Sequence, residues 1–206
     1  MSDYIVIQGQ KIELTQEMAE EIQKRICTPE NKLQLAEIAE GETFKIGDYE
    51  FIVLEQTGDT TAVILKELYD EETKFGENNN FSGSTVDGIC AKFAGELTKL
   101  IGSDALIEHE VDLTADDGLK DYGTVNRRVS LLTAQQYRKH VYTLDKHKVN
   151  DWWWLATPFS TNAHGIEYAV KCVAPSGCVY NNSYYVNGII GVRPFCILKS
   201  NIFVSK

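Results

Sequence analysis

The sequence predicts an α+β fold in which small, twisted antiparallel sheets carry two packed helices and long loops. Three observations lead to this prediction. Short runs rich in β-branched and aromatic residues are separated by turn residues. Only two segments of the main domain have apolar residues at helical spacing. No helical periodicity is present from Asp151 onward. We divide the chain into an N-terminal strand–helix appendage, residues 1–32, and a main domain, residues 33–206.

The appendage is predicted to begin with a strand at Tyr4–Ile7, followed by a helix. Thr15 is the candidate N-cap, acidic residues occupy the first turns, and Thr28-Pro29 ends the helix. A helix this short needs a surface to pack on. It is therefore the part of the chain that we expect to support an oligomer, if one forms.

The first half of the main domain is predicted to contain a β-meander. Its strands are Phe44–Ile46, Tyr49–Glu55 and Thr60–Lys66, and they are joined by turns at Gly47-Asp48 and residues 57–59. The alternation of short strands and Gly-containing turns favours antiparallel pairing between sequence neighbours.

The first predicted helix of the main domain runs from Val86 to Ile101, with Ser84 or Thr85 as its N-cap and Gly102 after its end. Cys90 lies beside the apolar stripe and is expected to be a small core residue. The stripe itself consists of Ile89, Phe93, Leu97, Leu100 and Ile101.

The acidic segment Asp112–Asp121 invites a calcium interpretation, which the spacing does not support. Gly118 comes one residue late for an EF-hand, and Gly123 stands where the bidentate Glu belongs. A carboxylate-rich loop or cap is favoured, and a cation site of another type stays open. His140 and His147 lack cysteines or acids at ligand spacing, so we predict packing or surface positions and no metal.

A second helix is predicted after a short strand at Arg128–Leu132. Thr133 is its N-cap, Gln136 stands at the capping-box position, and the pattern continues to Leu144.

The C-terminal segment is predicted to be all β. In a strand over Trp152–Ala156, Trp152 and Trp154 share one face and Trp153 takes the other. A second strand, Tyr168–Val173, has Tyr168, Val170 and Cys172 on one face, and a hairpin turn follows at Ala174–Gly177. In the predicted hairpin Ala174 faces Cys178 and Cys172 faces Tyr180. This register points Tyr180 inward, and it places Cys172 and Cys178 in the core but diagonal to each other, a poor geometry for a disulfide. The closing strand is Gly191–Leu198, with Pro194 at an edge or bulge.

The C-terminal segment resembles a family of uncharacterised proteins that is widespread in gut bacteria and their prophages. Members carry a WWLxxP strand, a hairpin around Ser-Gly, a variable Asn/Tyr-rich loop and a closing GVRP strand. The matching residues here are Trp153–Pro158, Ser176-Gly177, Asn181–Gly188 and Gly191–Pro194. The resemblance covers roughly residues 35–206.

That family is similar to proteins with the C-type-lectin-type fold, which formylglycine-generating oxidases and the variable proteins of diversity-generating retroelements share. The resemblance implies a Gly-Val-Arg strand that closes the core and a preceding loop that displays ligand-contacting residues. Trp152, Trp154 and Arg193 are then structural residues. Because this fold hosts binders and enzymes alike, function must be argued from the site.

The function expected from this reasoning is non-enzymatic binding of a protein or glycan by a module associated with a phage or prophage. Tyrosine provides large contact area at low entropic cost, and Asn and Ser provide adaptable hydrogen bonds. An ordinary polar loop stays open as the alternative. The candidate ligand-binding residues are Ser160, Thr161, Asn162, His164, Asn181, Asn182, Tyr184, Tyr185 and Asn187.

Two other functions stay open at this point. One is a thiol and copper oxidase of the formylglycine-generating type, for which Cys172, Cys178 and Cys196 are the nearby thiols. That family's catalytic motif is not matched, so we expect no enzyme activity and no cofactor. The other is inhibition of a host protein inside the cell.

The charge and the hydropathy of the chain limit the classes of partner that we expect. The 206 residues have a formal net charge of −10 and 43% hydrophobic residues, so they suffice for a real core and repel phosphate backbones. We therefore expect no nucleic-acid partner. No apolar run spans a bilayer and no signal peptide is recognised, which predicts a cytoplasmic protein or a component of a phage particle.

Overall fold

The computed structural model describes residues 4–7, 10–13, 32–180 and 184–206. The chain separates into two compact units, Met1–Lys32 and Leu33–Lys206. In the first unit, strand β1 (Tyr4–Ile7) pairs with the antiparallel strand β2 (Gln10–Glu13). The strand predicted at Tyr4–Ile7 is confirmed, whereas the helix predicted after Thr15 lies outside the described residues.

The second unit is a mixture of short strands and three helices, as an α+β fold requires. Its helices are α1 (Thr85–Ile101), α2 (Ala134–Lys139) and α3 (Val141–Leu144). Its strands are β3 (Lys32–Gln34), β4 (Thr43–Ile46), β5 (Tyr49–Thr57), β6 (Thr60–Leu65), β7 (Asp70–Thr73), β8 (Leu106–Ile107), β9 (His109–Asp112), β10 (Thr124–Arg127), β11 (Val129–Ser130), β12 (Trp153–Pro158), β13 (Ala169–Val173), β14 (Tyr184–Tyr185), β15 (Ile190–Val192), β16 (Phe195–Lys199) and β17 (Phe203–Ser205).

The predicted meander is confirmed and forms the centre of an eight-stranded sheet. Strands β4, β5 and β6 pair in succession and antiparallel, and β16 pairs antiparallel with β6, β8 and β11, as β17 does with β4. Gly47, at the first turn, has a φ of 58°, which glycine adopts without steric cost. The strand order is β11-β16-β6-β5-β4-β17-β3, and β8 also pairs with β16.

A five-stranded sheet holds the Trp-rich segment. Its order is β14-β13-β12-β15-β7, and only the β12–β15 contact is parallel. A further hairpin is formed by β9 and β10. The α+β prediction is therefore confirmed at the level of mixed helices and mainly antiparallel sheets.

Helix α1 begins one residue earlier than predicted, with Ser84 as the N-cap whose side chain accepts from the amide of Asp87. Its buried side is formed by Val86, Asp87, Cys90, Phe93 and Leu97. The core position predicted for Cys90 is confirmed, and burial raises the pKa of its thiol. The prediction for Leu100 is wrong, because its side chain is 51% exposed at the last turn.

The second predicted helix is interrupted. Thr133 and Gln136 form the predicted capping box at the start of α2. At His140 the backbone leaves the helical region, with φ −106° and ψ 14°, and the chain continues as the separate helix α3.

Strand β12 is buried on both faces and joins two apolar clusters. It begins at Trp153 rather than Trp152 and extends to Pro158. Trp154 lies in the cluster that includes α1, and Trp153 lies in a second cluster with Tyr137. Trp152 is half-buried, and its ring meets the edge of Tyr180 at 5.0 Å.

The predicted closing strand is two strands in different sheets. β15 belongs to the five-stranded sheet and β16 to the eight-stranded sheet, and Arg193-Pro194 is the crossing point between them. Arg193 is 1% exposed and donates to the carbonyls of Leu65, Lys66 and His147 at 2.7–3.1 Å. Its guanidinium also lies 5.3 Å from the Trp153 ring centre. These contacts fasten the two sheets to each other.

Candidate ligand-binding surface

The hairpin that leads to the candidate loop has the predicted register. Val173 faces Val179, the amide of Ala174 donates to the carbonyl of Cys178, and Gly177 has a φ of 87°. The positive φ explains the glycine, since other residues are strained there.

Two side chains in this hairpin lie elsewhere than predicted. Cys178 is exposed, so only Cys172 of the predicted pair is a core residue. Tyr180 is 43% exposed rather than inward, and its ring packs against the half-buried Trp152, with 5.0 Å between centroids.

The candidate loop itself is described in part. Asn181 and Asn182 lie outside the described residues, and of Tyr184 only the backbone is described, paired with Val170. Tyr185 is 62% exposed on β14, and Asn187 is exposed two residues later. Strand β14 forms one edge of the five-stranded sheet, so these side chains stand on a hydrogen-bonded backbone.

Tyr168 belongs to this surface, although the sequence analysis placed it on one strand face with Val170 and Cys172 and not among the ligand-binding residues. Strand β13 begins one residue after it, and its ring is 47% exposed. The rings of Tyr168 and Tyr185 stack at 5.5 Å between centroids with 22° between planes. The backbone amide of Val186 donates to the carbonyl of Tyr168 and fixes this pairing. We call the exposed residues Tyr168, Tyr185 and Asn187 the tyrosine surface.

Ser160 and Thr161 are buried, contrary to the prediction that they are displayed. The Ser160 hydroxyl donates to Asp117 at 2.6 Å, and the Thr161 hydroxyl donates to Asp121 at 2.9 Å. Their exposed fractions are 2% and 1%. These two hydrogen bonds, to carboxylates about forty residues earlier in the chain, anchor the start of the loop that carries Asn162 and His164.

Asn162 and His164 are exposed on the same loop. They belong to a single 3-10 turn, Asn162–His164, which the Thr161 hydroxyl caps and Gly165 ends in a left-handed conformation. The Nδ1 atom of His164 lies 3.1 Å from Asp117, while most of the imidazole faces solvent.

The acidic segment acts as the loop or cap that its composition predicts. Hydrogen bonds, with Ser160 first, lower the pKa of Asp117. Burial alone would raise the pKa of Asp116, but its bonds to Lys171 and Arg138 outweigh burial and lower it. Within the described residues, no three His, Cys, Asp or Glu side chains form a group suited to a metal ion.

The thiols considered for a copper oxidase occupy different environments. Cys172 is buried on β13, Cys178 is exposed in the hairpin, and Cys196 is buried on β16 in the other sheet. Burial raises the pKa of Cys196, which disfavours the thiolate that copper would need.

His147 and His140 both pack against other parts of the fold. His147 Nε2 lies 3.0 Å from the Gly41 carbonyl, and burial lowers the pKa of His140.

None of the helices in the described ranges is long and apolar enough to cross a membrane.

Comparison with known proteins gives one match. Residues 105–200 match the model of a domain of unknown function, DUF6273. The matched segment, just under half of the chain, runs from the start of β8 through β16 and contains the tyrosine surface and Arg193. No curated protein and no solved structure matches the chain significantly.

Proposed function

We propose that this chain is a non-enzymatic binding module that recognises a protein or glycan through the tyrosine surface. The observation that carries the proposal is the pair of exposed, mutually stacked rings at a sheet edge. Single exposed tyrosines are common, but two exposed rings stacked on each other form an apolar patch, and tyrosine at a binding surface offers a rigid apolar ring and a polar tip.

The backbone beneath the two rings supports binding without large rearrangement. Tyr185 is paired with Ala169 in the sheet, and Val186 bonds to Tyr168. A surface that is already ordered loses less conformational entropy when it binds, which favours affinity. Asn187, two residues after Tyr185, and the exposed Asn162 and His164, which precede Tyr168 in the chain, would offer hydrogen-bonding groups to the same ligand.

A C-type-lectin-type arrangement is part of the proposal. The Gly-Val-Arg-Pro segment passes between the two sheets with a buried arginine at the crossing, and the residues before it stand at the surface. This division into a closing segment and a displayed loop is what the resemblance implies. Association with a phage or prophage follows from the same resemblance, and phage structural genes or a reverse transcriptase beside the gene would support it.

Substitution of the two rings tests the proposal. The purified chain is applied to a glycan array and, separately, used to capture proteins from host-cell extract. Tyr168→Ala and Tyr185→Ala should each lower affinity for the bound ligand about 10- to 100-fold, as expected for central aromatic contacts.

Tyr142 provides the matched control because its side chain is 86% exposed on α3. Tyr142→Ala should leave capture unchanged. If all three variants bind as wild type does, or if the loss follows a fall in the unfolding midpoint, the tyrosine surface is not the binding site.

A further inference from the structure

Asn79 is a buried residue whose side chain gathers three backbone carbonyls. It is 0% exposed and lies in the segment before α1. Its Nδ2 atom donates to the carbonyls of Ser160 at 2.9 Å, Ile166 at 3.2 Å and Ala169 at 2.9 Å. An amide nitrogen carries two hydrogens, so at least one of them is shared between two acceptors.

Two further polar atoms of Asn79 are hydrogen-bonded, one to Tyr122 and one within the segment 160–169. Its Oδ1 accepts from the Tyr122 hydroxyl at 2.7 Å, and its backbone amide donates to the carbonyl of Glu167 at 2.8 Å. One buried side chain therefore contacts the start, the middle and the end of the segment 160–169. Such a fully bonded buried network holds its members in one arrangement.

The segment 160–169 ends next to the tyrosine surface. The amide of Phe159 donates to the carbonyl of Ala169 and closes the loop at its base. Tyr168 is the residue immediately before that base, between the carbonyls of Ile166 and Ala169 that Asn79 holds. A shift of this loop would separate the Tyr168 ring from Tyr185.

We propose that Asn79 is a positioning residue that holds the segment 160–169 so that Tyr168 is presented for binding. This inference rests on the proposed function and adds to it the residue that holds the Tyr168 side of the surface in place. Asn79 itself is buried and touches no ligand.

Asn79→Asp tests this role with a change of one atom. The carboxylate keeps an acceptor for Tyr122, but it loses the donor and faces three carbonyl oxygens. Its neighbours provide controls, because the side-chain oxygens of Asn78 and Asn80 accept from the amides of Asn80 and Ser82, and among the described residues neither side chain is seen to donate. Asn78→Asp and Asn80→Asp keep those bonds.

Hydrogen exchange of the free protein is the first measurement. In the native loop the amides of His164, Gly165 and Ile166 are bonded to Thr161 and Asn162. Asn79→Asp should speed exchange at least tenfold in residues 160–169, with α1 and β4–β6 unchanged, while both control variants exchange as wild type. A residue that served only overall stability would raise exchange throughout the second unit. Unchanged exchange in 160–169 would overturn the inference.

Tyr122→Phe is a second test of whether Asn79 orders the segment 160–169, for use if Asn79→Asp does not fold. It removes the hydroxyl that donates to Asn79 Oδ1 and that also lies at the backbone amide of Asn162. It should therefore speed exchange in 160–169 about threefold with the fold retained. Equal exchange in wild type and Tyr122→Phe would then count against the role of Asn79.

Binding is the second measurement. With the ligand identified by capture, Asn79→Asp should weaken binding about tenfold, as a loosened Tyr168 would. Faster exchange with unchanged affinity would contradict positioning for binding. Failure of wild type to bind any array glycan or extract protein would remove the proposed function, while the exchange comparison would still decide whether Asn79 orders the loop.

Discussion

His109 shows how a single buried residue couples this fold to pH. Its side chain is 9% exposed, its Nε2 atom lies 3.0 Å from the Ser130 hydroxyl, and its ring meets the edge of Phe195 at 5.2 Å. The Ser130 hydroxyl donates to the carbonyl of Leu131, so it is free to accept, and His109 Nε2 is the donor of the bond to Ser130. Burial lowers the pKa of His109 below its ordinary value.

The lowered pKa predicts a loss of stability on acidification. The unfolded chain takes up a proton near pH 6.5, and the folded chain does so only at lower pH, so the free energy of unfolding falls as the pH drops from 6.5 toward 5. Each such group contributes at most about 1.4 kcal/mol per pH unit. His109→Gln keeps a donor near Nε2 and does not titrate, so its unfolding free energy should fall less steeply.

Urea unfolding at pH 7.0, 6.0 and 5.0 checks this prediction. His140, whose pKa burial also lowers, leaves a residual slope of the same sign in the variant. Parallel slopes for wild type and His109→Gln would show that His109 does not carry the effect.

Arg193 is a buried residue that bonds to chain segments distant from it in the sequence. Burial lowers its pKa to about 10, so the guanidinium stays charged at neutral pH. Three carbonyl bonds and the Trp153 ring compensate the removal of this charge from water. A lysine at this position would present a compact ammonium group, which lacks the planar geometry by which the guanidinium reaches these three carbonyls.

At the scale of elements, the two faces of β12 pack against two different apolar clusters. Trp153 is 2% exposed, and its ring meets Tyr137 at 5.7 Å in an edge contact. Trp154 is 0% exposed and donates from Nε1 to the carbonyl of Thr73. Trp152, before the strand, is half-buried.

Truncation of adjacent tryptophans should therefore have unequal effects. Trp153→Ala should lower the free energy of unfolding by about 3–5 kcal/mol, because it empties a core position. Trp152→Ala should lower it by about 1–2 kcal/mol, because part of that ring is already in water. Denaturant titration of both variants measures the difference, and equal losses would contradict the orientation of β12.

Elements with local signals were predictable from the sequence. The β4–β6 meander, the Ser84 and Thr133 caps and the turn at Gly177 depend on residues within a few positions of each other. The crossing at Arg193-Pro194 depends on which sheet each flanking strand joins, and no local pattern encodes that choice.

The candidate site was predictable only in part for the same reason. Tyr185 and Asn187 are exposed, as the composition of the loop suggests. Ser160 and Thr161 are buried because Asp117 and Asp121, some forty residues earlier in the chain, bond to them. Tyr168 and Asn79 gain their places through pairings across the fold, which spacing along the chain does not reveal.

At the scale of the second unit, two sheets provide a rigid frame and one sheet edge carries the exposed rings. Arg193 joins the sheets, and Asn79 holds the loop beside the tyrosine surface. The formal net charge of −10 disfavours anionic ligands, so a neutral glycan or a neutral or basic protein surface fits best.

Site-specific photo-crosslinking tests this account most directly. A photoreactive phenylalanine derivative is placed at position 185, at position 168 or, as the control, at position 142, and the folded chains are irradiated with the captured ligand. We expect crosslinks from positions 168 and 185 and none from position 142. Crosslinks from position 142 alone, or equally from all three positions, would contradict recognition through the tyrosine surface.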